Sequence, residues 1–196
     1  MTTSAHDSLF ADFLPRGDSP RLGPEDGLLI REAADRDLDA LARIAALREG
    51  CDESTSRHAF ETLLMGCAVR GGLRLVVAER ERTVLGFGKI GRFEPPLHAP
   101  SNVAPAGWYL TGLVVAPRFR RLGVGDALTE ERLRWIAGRS PAAYYFANAQ
   151  NGATIALHRK HGFVEVTRSF HFPGVSFQGG RGILFRVDLG RGPPVH

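Results

Sequence analysis

The chain has 196 residues, of which 43% are hydrophobic, and carries a formal charge of +4. This length allows one globular domain with its own core, and no run of about 18 apolar residues predicts a membrane span. Cys51 and Cys67 form neither a disulfide framework nor a Cys-x-x-Cys motif. Because the N-terminus also lacks a basic segment followed by an apolar run, we expect a cytoplasmic protein rather than a secreted one.

Nearly all of the positive charge comes from arginine, since Lys89 and Lys160 are the two lysines. A basic surface attracts nucleic acid, but no arginine run alternates with aromatic residues as in a nucleic-acid motif. We therefore expect no nucleic-acid partner. A ligand with several phosphates explains part of the charge more directly.

The first quarter of the chain predicts a tail, a strand and two helices. Residues 1–26 hold no lasting periodicity, which is typical of a partly disordered tail; alternatively, the apolar patch at 9–14 docks on the domain or on a partner subunit. A strand is predicted at 28–31 and a helix from Asp35, an N-cap residue. A second helix is predicted over about 55–69.

The next segment reads as two strands and a long loop. Residues 73–78 and 84–93 are rich in branched apolar side chains, and the polar segment 79–82 predicts a hairpin turn between them. Residues 94–107 contain four prolines, which excludes regular structure there.

The centre of the sequence predicts a strand, a basic glycine loop and a helix. Residues 108–115 are mostly aliphatic, aromatic or β-branched, and Pro117 ends the strand because it offers no N–H to a ladder. Gly123 and Gly125 allow a sharp turn. Helical spacing begins at Val124 and ends near 138. The free amides at a helix N-terminus bind anions, so the loop predicts a pyrophosphate site.

The last third predicts a strand at 142–147, a helix with Asn151 as its N-cap, and strands at 163–172 and 183–189. Residues 191–196 read as a short tail. Strands that alternate with helices in this way indicate an α/β domain over 27–190 with a mixed sheet of about six to seven strands and about four helices.

Three interpretations compete for the basic loop. A Rossmann fingerprint requires a third glycine where Leu128 stands, and a Walker loop requires Gly-Lys-Ser/Thr, which is absent. The segment Arg120-Arg121-Leu122-Gly123-Val124-Gly125 instead resembles the Arg/Gln-x-x-Gly-x-Gly/Ala signature of the GNAT superfamily of N-acetyltransferases. A second segment, 151–163, resembles the later helix of that family, which reads Asn, then Ala-Ile-x-Leu-Tyr, then Lys-x-Gly-Phe.

The resemblance covers about 28–189 and implies a GNAT-like fold with acetyl-CoA as acyl donor. It implies that the donor's pyrophosphate lies at the loop and that its pantetheine arm pairs with the strand before it, as an added strand would. The implied cofactor-binding residues are Leu113, Val114, Val115, Arg120, Arg121, Leu122, Gly123, Val124, Gly125, Asp126, Asn151 and His158.

His158 occupies the position where many members of the family have a tyrosine that acts as general acid. An imidazole with an ordinary pKa near 6.5 could protonate a departing thiolate, so His158 is the predicted catalytic residue; alternatively, it only packs near the sulfur. His158 and His161 have no third partner, and we expect no metal site. The general base is not identified, with Glu94, His98, His171 or a water chain as alternatives.

The predicted function is direct transfer of an acetyl group to a primary amine of a small molecule or peptide. Glu49, Asp52 and Glu53, in the loop between the first two helices, could meet a cationic amine, although a solvated loop explains them as well. Trp108, Tyr109 and Phe172 read either as pocket residues or as core. The alternatives are an acyl-CoA-binding sensor without turnover and an enzyme for a longer acyl group. The resemblance also allows a homodimer.

Overall fold

The structure is a computed structural model that describes residues 21–177, 179 and 181–190; the side chains of Glu49, Val69 and Arg70 are outside the description. Residues 1–20 of the predicted N-terminal tail, which include the apolar patch at 9–14, and the predicted C-terminal tail at 191–196 lie outside the described residues.

Seven strands and four α-helices occur in the described part of the chain. The helices are α1 Leu38–Glu49, α2 Glu53–Arg70, α3 Val124–Ala137 and α4 Gly152–Lys160. The strands are β1 Leu29–Glu32, β2 Leu73–Arg80, β3 Thr83–Phe93, β4 Gly107–Val115, β5 Ala142–Asn148, β6 Val164–Thr167 and β7 Gly182–Asp188.

The strands form one mixed sheet in the order β1-β2-β3-β4-β5-β7-β6. All neighbours are antiparallel except β4 and β5, which are parallel and pair at two positions only, Trp108 with Ala143 and Tyr109 with Tyr144. Beyond Tyr109 the two strands have no registered pairs. The sheet therefore has an opening beside the C-terminal half of β4, in the middle of the molecule.

The two faces of the sheet carry different helices. Strand β2 shows the alternation directly: Val77 packs with Leu41 of α1 and Phe60 of α2, whereas Val76 packs with Leu128 of α3. All of these side chains are buried. Tyr145 of β5 packs in a third cluster on the α3 face, together with Ile136 and Phe163. Helices α1 and α2 thus cover one face, and α3 covers the other.

The predicted α/β fold with about seven strands and four helices is confirmed. The prediction of a strand over 163–172 is wrong in its length, because β6 ends at Thr167. There the Thr167 hydroxyl accepts a hydrogen bond from the Ser169 amide at 3.0 Å, a local turn that replaces the ladder. Strand β6 is an edge strand that pairs with β7 alone.

The proline-rich segment 94–106 is irregular, as predicted, and docks on the chain after β6. The Ala104 amide donates to the His171 carbonyl at 2.8 Å, and the His171 amide donates to the Asn102 carbonyl at 2.8 Å. The Tyr109 hydroxyl donates to the Pro105 carbonyl at 2.7 Å. These bonds hold the segment against the face of the sheet opposite to α3, beside β4 and β5.

The end of the predicted N-terminal tail contacts the domain. The Leu22 amide donates to the Leu122 carbonyl at 2.9 Å, and Leu22 packs against the cluster that contains Val124 and Leu128. A short 3₁₀ turn, Pro24–Asp26, then leads to β1.

Candidate functional site

The basic glycine loop connects β4 to α3, as the sequence predicts. After Val115 the chain forms a 3₁₀ turn, Pro117–Phe119. Arg121 adopts a left-handed conformation with φ 69°, and Gly123, with φ 82°, caps α3. Any residue with a Cβ atom at Gly123 would be strained in this conformation.

In the part of the chain that the structure describes, no group accepts a hydrogen bond from the first amides of α3. The first helical hydrogen bond runs from the Ala127 amide to the Gly123 carbonyl. Gly123, the N-cap residue, has no side chain that could accept from the three amides between them. These amides belong to Val124, Gly125 and Asp126 and carry the partial positive charge of the helix N-terminus. Arg120 and Arg121 stand next to them in sequence, so the loop combines backbone donors and guanidinium groups.

The β4 edge beside the opening of the sheet offers backbone carbonyls, two of which arginine side chains bind. Arg48 of α1 donates from Nη1 to the Leu113 carbonyl at 3.3 Å, and Arg120 donates from Nε to the Val115 carbonyl at 3.3 Å. The Leu113 and Val115 carbonyls therefore lie outside the ladder with β3, where a ligand running along β4 would meet them, whereas the backbone of Val114, between them, faces β3.

Helix α4 is tied to the start of α3. The Asn151 side chain accepts from the Thr154 amide at 3.2 Å, which confirms its predicted N-cap role. Asp126 binds Lys160 Nζ at 2.5 Å and His161 Nε2 at 3.0 Å. The hydrogen bond from His161, and then that from Lys160, hold the pKa of Asp126 at about 2. The side chain of Asp126 thus fixes α4, and its predicted contact with a ligand falls to the backbone amide.

His158 is a buried, neutral imidazole. It is 2% exposed and stacks on Tyr145 with ring centroids 3.8 Å apart. Its Nδ1 lies 2.8 Å from the Thr154 carbonyl, and because a carbonyl only accepts, Nδ1 carries the proton. Burial, and then the charge of Arg132, lower the pKa of His158 to about 3.

These facts bear on the predicted catalytic role of His158. A neutral imidazole with its proton on Nδ1 has no proton on Nε2 to give to a leaving group. Proton donation by His158 stays a prediction, and its geometry supports the alternative in which the ring packs near the reacting sulfur.

The sequence analysis missed Arg132, which is 0% exposed in the middle of α3. Its guanidinium donates to the Leu128 carbonyl at 3.0 Å, to the Lys89 carbonyl at 3.3 Å and to the Thr129 hydroxyl at 3.2 Å. Helical spacing was the available signal, because position 132 falls one turn after Leu128 and one turn before Ile136, and both of these are buried.

The aromatic residues around β4 divide between the two faces. Trp108 packs edge-on against Trp135 of α3 with centroids 5.0 Å apart, so it is a core residue. Tyr109 lies on the opposite face and stacks with Tyr144 at 5.2 Å. Phe172 joins it there, 5.2 Å from the Tyr109 ring. Burial raises the pKa of Tyr109, which leaves this hydroxyl a donor rather than a base.

The residues weighed as a base or as contacts for an amine lie in exposed segments. Glu94 pairs with Arg92 at 2.9 Å, and His98 and His171 are exposed. Asp52 caps α2, where it accepts from the Thr55 amide at 2.8 Å, and bonds from Ser54 and Thr55 hold its pKa below the ordinary range. This cap supports the structural explanation of Asp52.

A cavity of about 970 Å³ lies on the α1 face, beside the β2–β3 turn. Arginine side chains are prominent in its lining, which includes Arg36, Arg43, Arg82 and Arg118. Because Arg118 belongs to the first part of the loop between β4 and α3, the cavity borders that loop on the face opposite to α3. Within the described ranges, no three or more metal-ligating side chains come together.

Comparison with known proteins decides the family. The profile of the acetyltransferase (GNAT) family matches residues 39–163. The chain belongs to this family. A search of curated proteins finds no match. The ribosomal-protein-alanine N-acetyltransferase of Brucella melitensis is 26% identical, with 82% of this chain and 99% of that chain covered and a TM-score of 0.60.

Two further GNAT relatives hold the donor or its product. The PaiA N-acetyltransferase of Thermoplasma acidophilum, solved with coenzyme A, is 14% identical over 82% of this chain and 98% of its own, with a TM-score of 0.59. The yncA protein of Salmonella typhimurium, solved with acetyl-CoA, is 16% identical over 86% and 97%, with a TM-score of 0.59. Acetyl-CoA is the acyl donor of the family, as predicted.

The residues of this chain fit that donor. Backbone amides at a helix N-terminus, next to two arginines, form a donor set suited to a pyrophosphate. The opening beside β4 suits the extended pantetheine arm.

In the described part of the chain no helix is long and apolar enough to cross a membrane.

Proposed function

We propose that this GNAT protein transfers an acetyl group directly from acetyl-CoA to a primary amine of a small molecule or a peptide. The observation that supports the proposal is the position of the sheet opening, which lies beside the C-terminal half of β4, the strand that leads into the basic loop and the amide donors of the α3 N-terminus. When bound, acetyl-CoA supplies the activated thioester.

The chain's own residues would hold and polarise that thioester. Arg120, Arg121 and the amides of 124–126 bind the pyrophosphate, and the backbone of Leu113, Val114 and Val115 binds the pantetheine arm. One amide of this trio hydrogen-bonds the thioester oxygen, where negative charge develops during attack by the amine. Asn151 starts α4 beside the site, and α4 brings His158 to it.

The first acceptor class to test is the α-amine of a peptide. The relative from Brucella melitensis is named for its action on the alanine of a ribosomal protein. We propose the cytoplasm as the compartment, because Cys51 and Cys67 are free thiols. A homodimer remains a proposal carried by the family alone.

The alternative function is an acyl-CoA sensor without turnover. The observation that favours it is the neutral His158, together with the absence of a carboxylate on the described part of β4, where some members of the family carry a glutamate. The sensor would bind acetyl-CoA and release no thiol.

One experiment separates the two functions. Acetyl-CoA is incubated with the full chain and with alanine-, serine- and methionine-starting peptides, polyamines, amino acids and aminoglycosides, and the free thiol and the acetylated product are measured. We expect stoichiometric thiol and acetyl-amide with at least one amine. Binding of acetyl-CoA without thiol release across the panel would support the sensor and contradict the enzyme. Parallel reactions with propionyl-CoA and succinyl-CoA test the acyl group.

A further inference from the structure

Arg132 is a cation in the protein interior without an anionic partner. Its side chain is fully buried, and its three hydrogen-bond acceptors are two carbonyls and a hydroxyl, all neutral. No carboxylate in the described ranges forms an ion pair with it. Burying a charge without a counter-charge is costly, so the fold gains no stability that would explain an arginine here.

The strand beneath Arg132 is shaped to admit it. A Cβ atom on Gly88 of β3 would lie 2.8 Å from Arg132 Nε, a distance that real side chains do not tolerate. The guanidinium therefore lies over β3 at Gly88 and Lys89, whose carbonyl it binds. A glycine and an arginine on two elements thus create one buried site.

This site is one strand away from the predicted thioester position. The register between β3 and β4 shifts here, because Phe87 pairs with Val114 and Lys89 pairs with Thr111. The extra β4 residue falls at Gly112 or Leu113, and Gly112 has φ 52°. The guanidinium on β3 therefore lies one strand from the irregularity of β4 at Gly112 and Leu113, which adjoins the opening between β4 and β5.

Other titratable groups surround the same place. From α4, His158 is close enough for the charge of Arg132 to lower its pKa. From α1, Arg48 binds the Leu113 carbonyl, and Lys89 of β3 lies against Gly112. Asp126, the carboxylate at the start of α3, is engaged by Lys160 and His161. Cationic side chains from α1, α3 and β3 therefore approach the same part of β4.

We propose that Arg132 stabilises the coenzyme A thiolate as it leaves, through the electrostatic field of its buried guanidinium. The inference rests on the proposed function. In the step, the amine nitrogen forms the C–N bond, the C–S bond breaks, its electron pair stays on sulfur, and the ammonium proton passes to water. Charge–charge interaction is several times stronger in a protein interior than in water, and a fixed cation loses nothing to reorganisation.

This role complements the neutral His158. Where a tyrosine would neutralise the thiolate by giving it a proton, this chain offers a positive charge that favours the unprotonated sulfur. Burial lowers the pKa of Arg132 to about 9, so the guanidinium is charged at neutral pH.

The test measures the preference of the site for a thiolate without requiring turnover. The affinities of the full chain for coenzyme A and for desulfo-coenzyme A, which lacks the thiol, are compared by calorimetry from pH 6.0 to pH 8.5. We expect the ratio of the two affinities to favour coenzyme A increasingly as the pH rises, by up to about tenfold for each unit by which the site lowers the thiol pKa. Protein groups whose ionisation does not depend on the sulfur change both affinities equally with pH, so their contributions cancel in the ratio.

Variants locate the effect. Arg132→Met should remove the pH dependence of the ratio and leave desulfo-coenzyme A affinity within about twofold, whereas Arg132→Lys should retain part of it. In turnover, Arg132→Met should lower kcat and leave KM for acetyl-CoA nearly unchanged. Arg134→Met, on the exposed side of α3, is the matched control and should behave as the wild type.

Each outcome decides the matter. If the wild-type protein binds both ligands with a ratio that does not change with pH, the inference is wrong while the proposed function survives. If neither ligand binds, both are wrong. A pH-dependent ratio that persists in Arg132→Met would assign the effect to another group.

Discussion

Arginine side chains lie at two places along helix α3 and the loop before it, and the two places differ in exposure and in hydrogen-bond partners. At its N-terminus, Arg120 and Arg121 lie in a loop at the surface, where hydration makes their charge inexpensive. Two turns further on, Arg132 is fully buried among neutral acceptors. The comparison shows that a motif can reveal the first kind of residue, because the loop repeats a familiar pattern. For the second kind, helical spacing indicates burial, but only the fold shows that the groups around the guanidinium are neutral.

The largest expected effect is on the affinity for coenzyme A, when Arg120 and Arg121 in the exposed loop are replaced. Arg120→Ala with Arg121→Ala should weaken binding of coenzyme A by at least about 100-fold, since it removes two charge-assisted hydrogen-bond donors that contribute roughly 1.5–3 kcal/mol each. The free energy of unfolding should fall by about 1 kcal/mol, because Arg120→Ala removes the hydrogen bond to the Val115 carbonyl. Calorimetry measures the first quantity and urea titration the second. Arg134→Ala with Arg168→Ala, both exposed, is the charge-matched control, and an equal loss of affinity there would show that only net charge matters.

A substitution beside the buried Arg132 should lower the free energy of unfolding. Gly88→Ala places a methyl group 2.8 Å from Arg132 Nε, and overpacking of this kind costs about 1–3 kcal/mol. The cost should fall when Arg132 is also Met, because the clashing atom is then removed. Gly91→Ala on the same strand meets its nearest atom at 3.9 Å and serves as control. Equal costs for Gly88→Ala in both backgrounds would contradict the described position of the guanidinium.

A medium effect is expected at the link between α3 and α4. Asp126→Asn should destabilise the protein by about 1–2 kcal/mol at pH 7, because the folded state holds the pKa of Asp126 near 2, below its ordinary value of 3.8. A depressed carboxyl pKa stabilises the fold above the unfolded-state pKa. The contribution is therefore present at pH 5 and above and is lost as the pH falls from about 4 to 2. Urea titrations at pH 7 and pH 3 should show a smaller difference between variant and wild type at pH 3.

The smallest effect is expected in the aromatic stack beside His158. The Tyr145 hydroxyl is buried and has no hydrogen-bond partner in the described part of the chain. Tyr145→Phe should therefore change the free energy of unfolding by less than about 0.5 kcal/mol, or stabilise the protein slightly.

Tyr109→Phe is the matched comparison for Tyr145→Phe. It removes the bond to the Pro105 carbonyl and should cost about 1 kcal/mol. The same urea titration measures both variants. A larger loss in Tyr145→Phe than in Tyr109→Phe would reveal a partner for the Tyr145 hydroxyl.

Local pattern was sufficient to predict most of the fold. The apolar segments 73–78 and 84–93 with the polar turn between them, the glycines of the loop and the N-cap at Asn151 each act over a few residues, so the sequence reports them directly. Strand β6 was predicted too long because apolar residues after Thr167 were read as strand. Phe170 and Phe172 instead pack on Phe146, a tertiary contact that short-range pattern does not encode.

The candidate site likewise has features that the sequence predicts and features that depend on tertiary packing. The position of the basic loop and its helix followed from motif and spacing. The ionisation of His158 did not, because it depends on burial under α4 and on Arg132, which lies 26 positions earlier in the chain and meets His158 only through the packing of two helices. Arg48 and Leu113, which are in contact, are even further apart in the sequence, by 65 positions.

Thermal unfolding with and without acetyl-CoA tests the central claim most directly. At about 100 times the dissociation constant, the ligand should stabilise the folded protein by roughly 2.7 kcal/mol, which corresponds to a rise in Tm of about 5–10 °C for a domain of this size. The rise should be largely lost in Arg120→Ala with Arg121→Ala. A well-folded wild-type protein whose Tm does not move with saturating acetyl-CoA would contradict the assignment of the donor site to the loop and the α3 N-terminus.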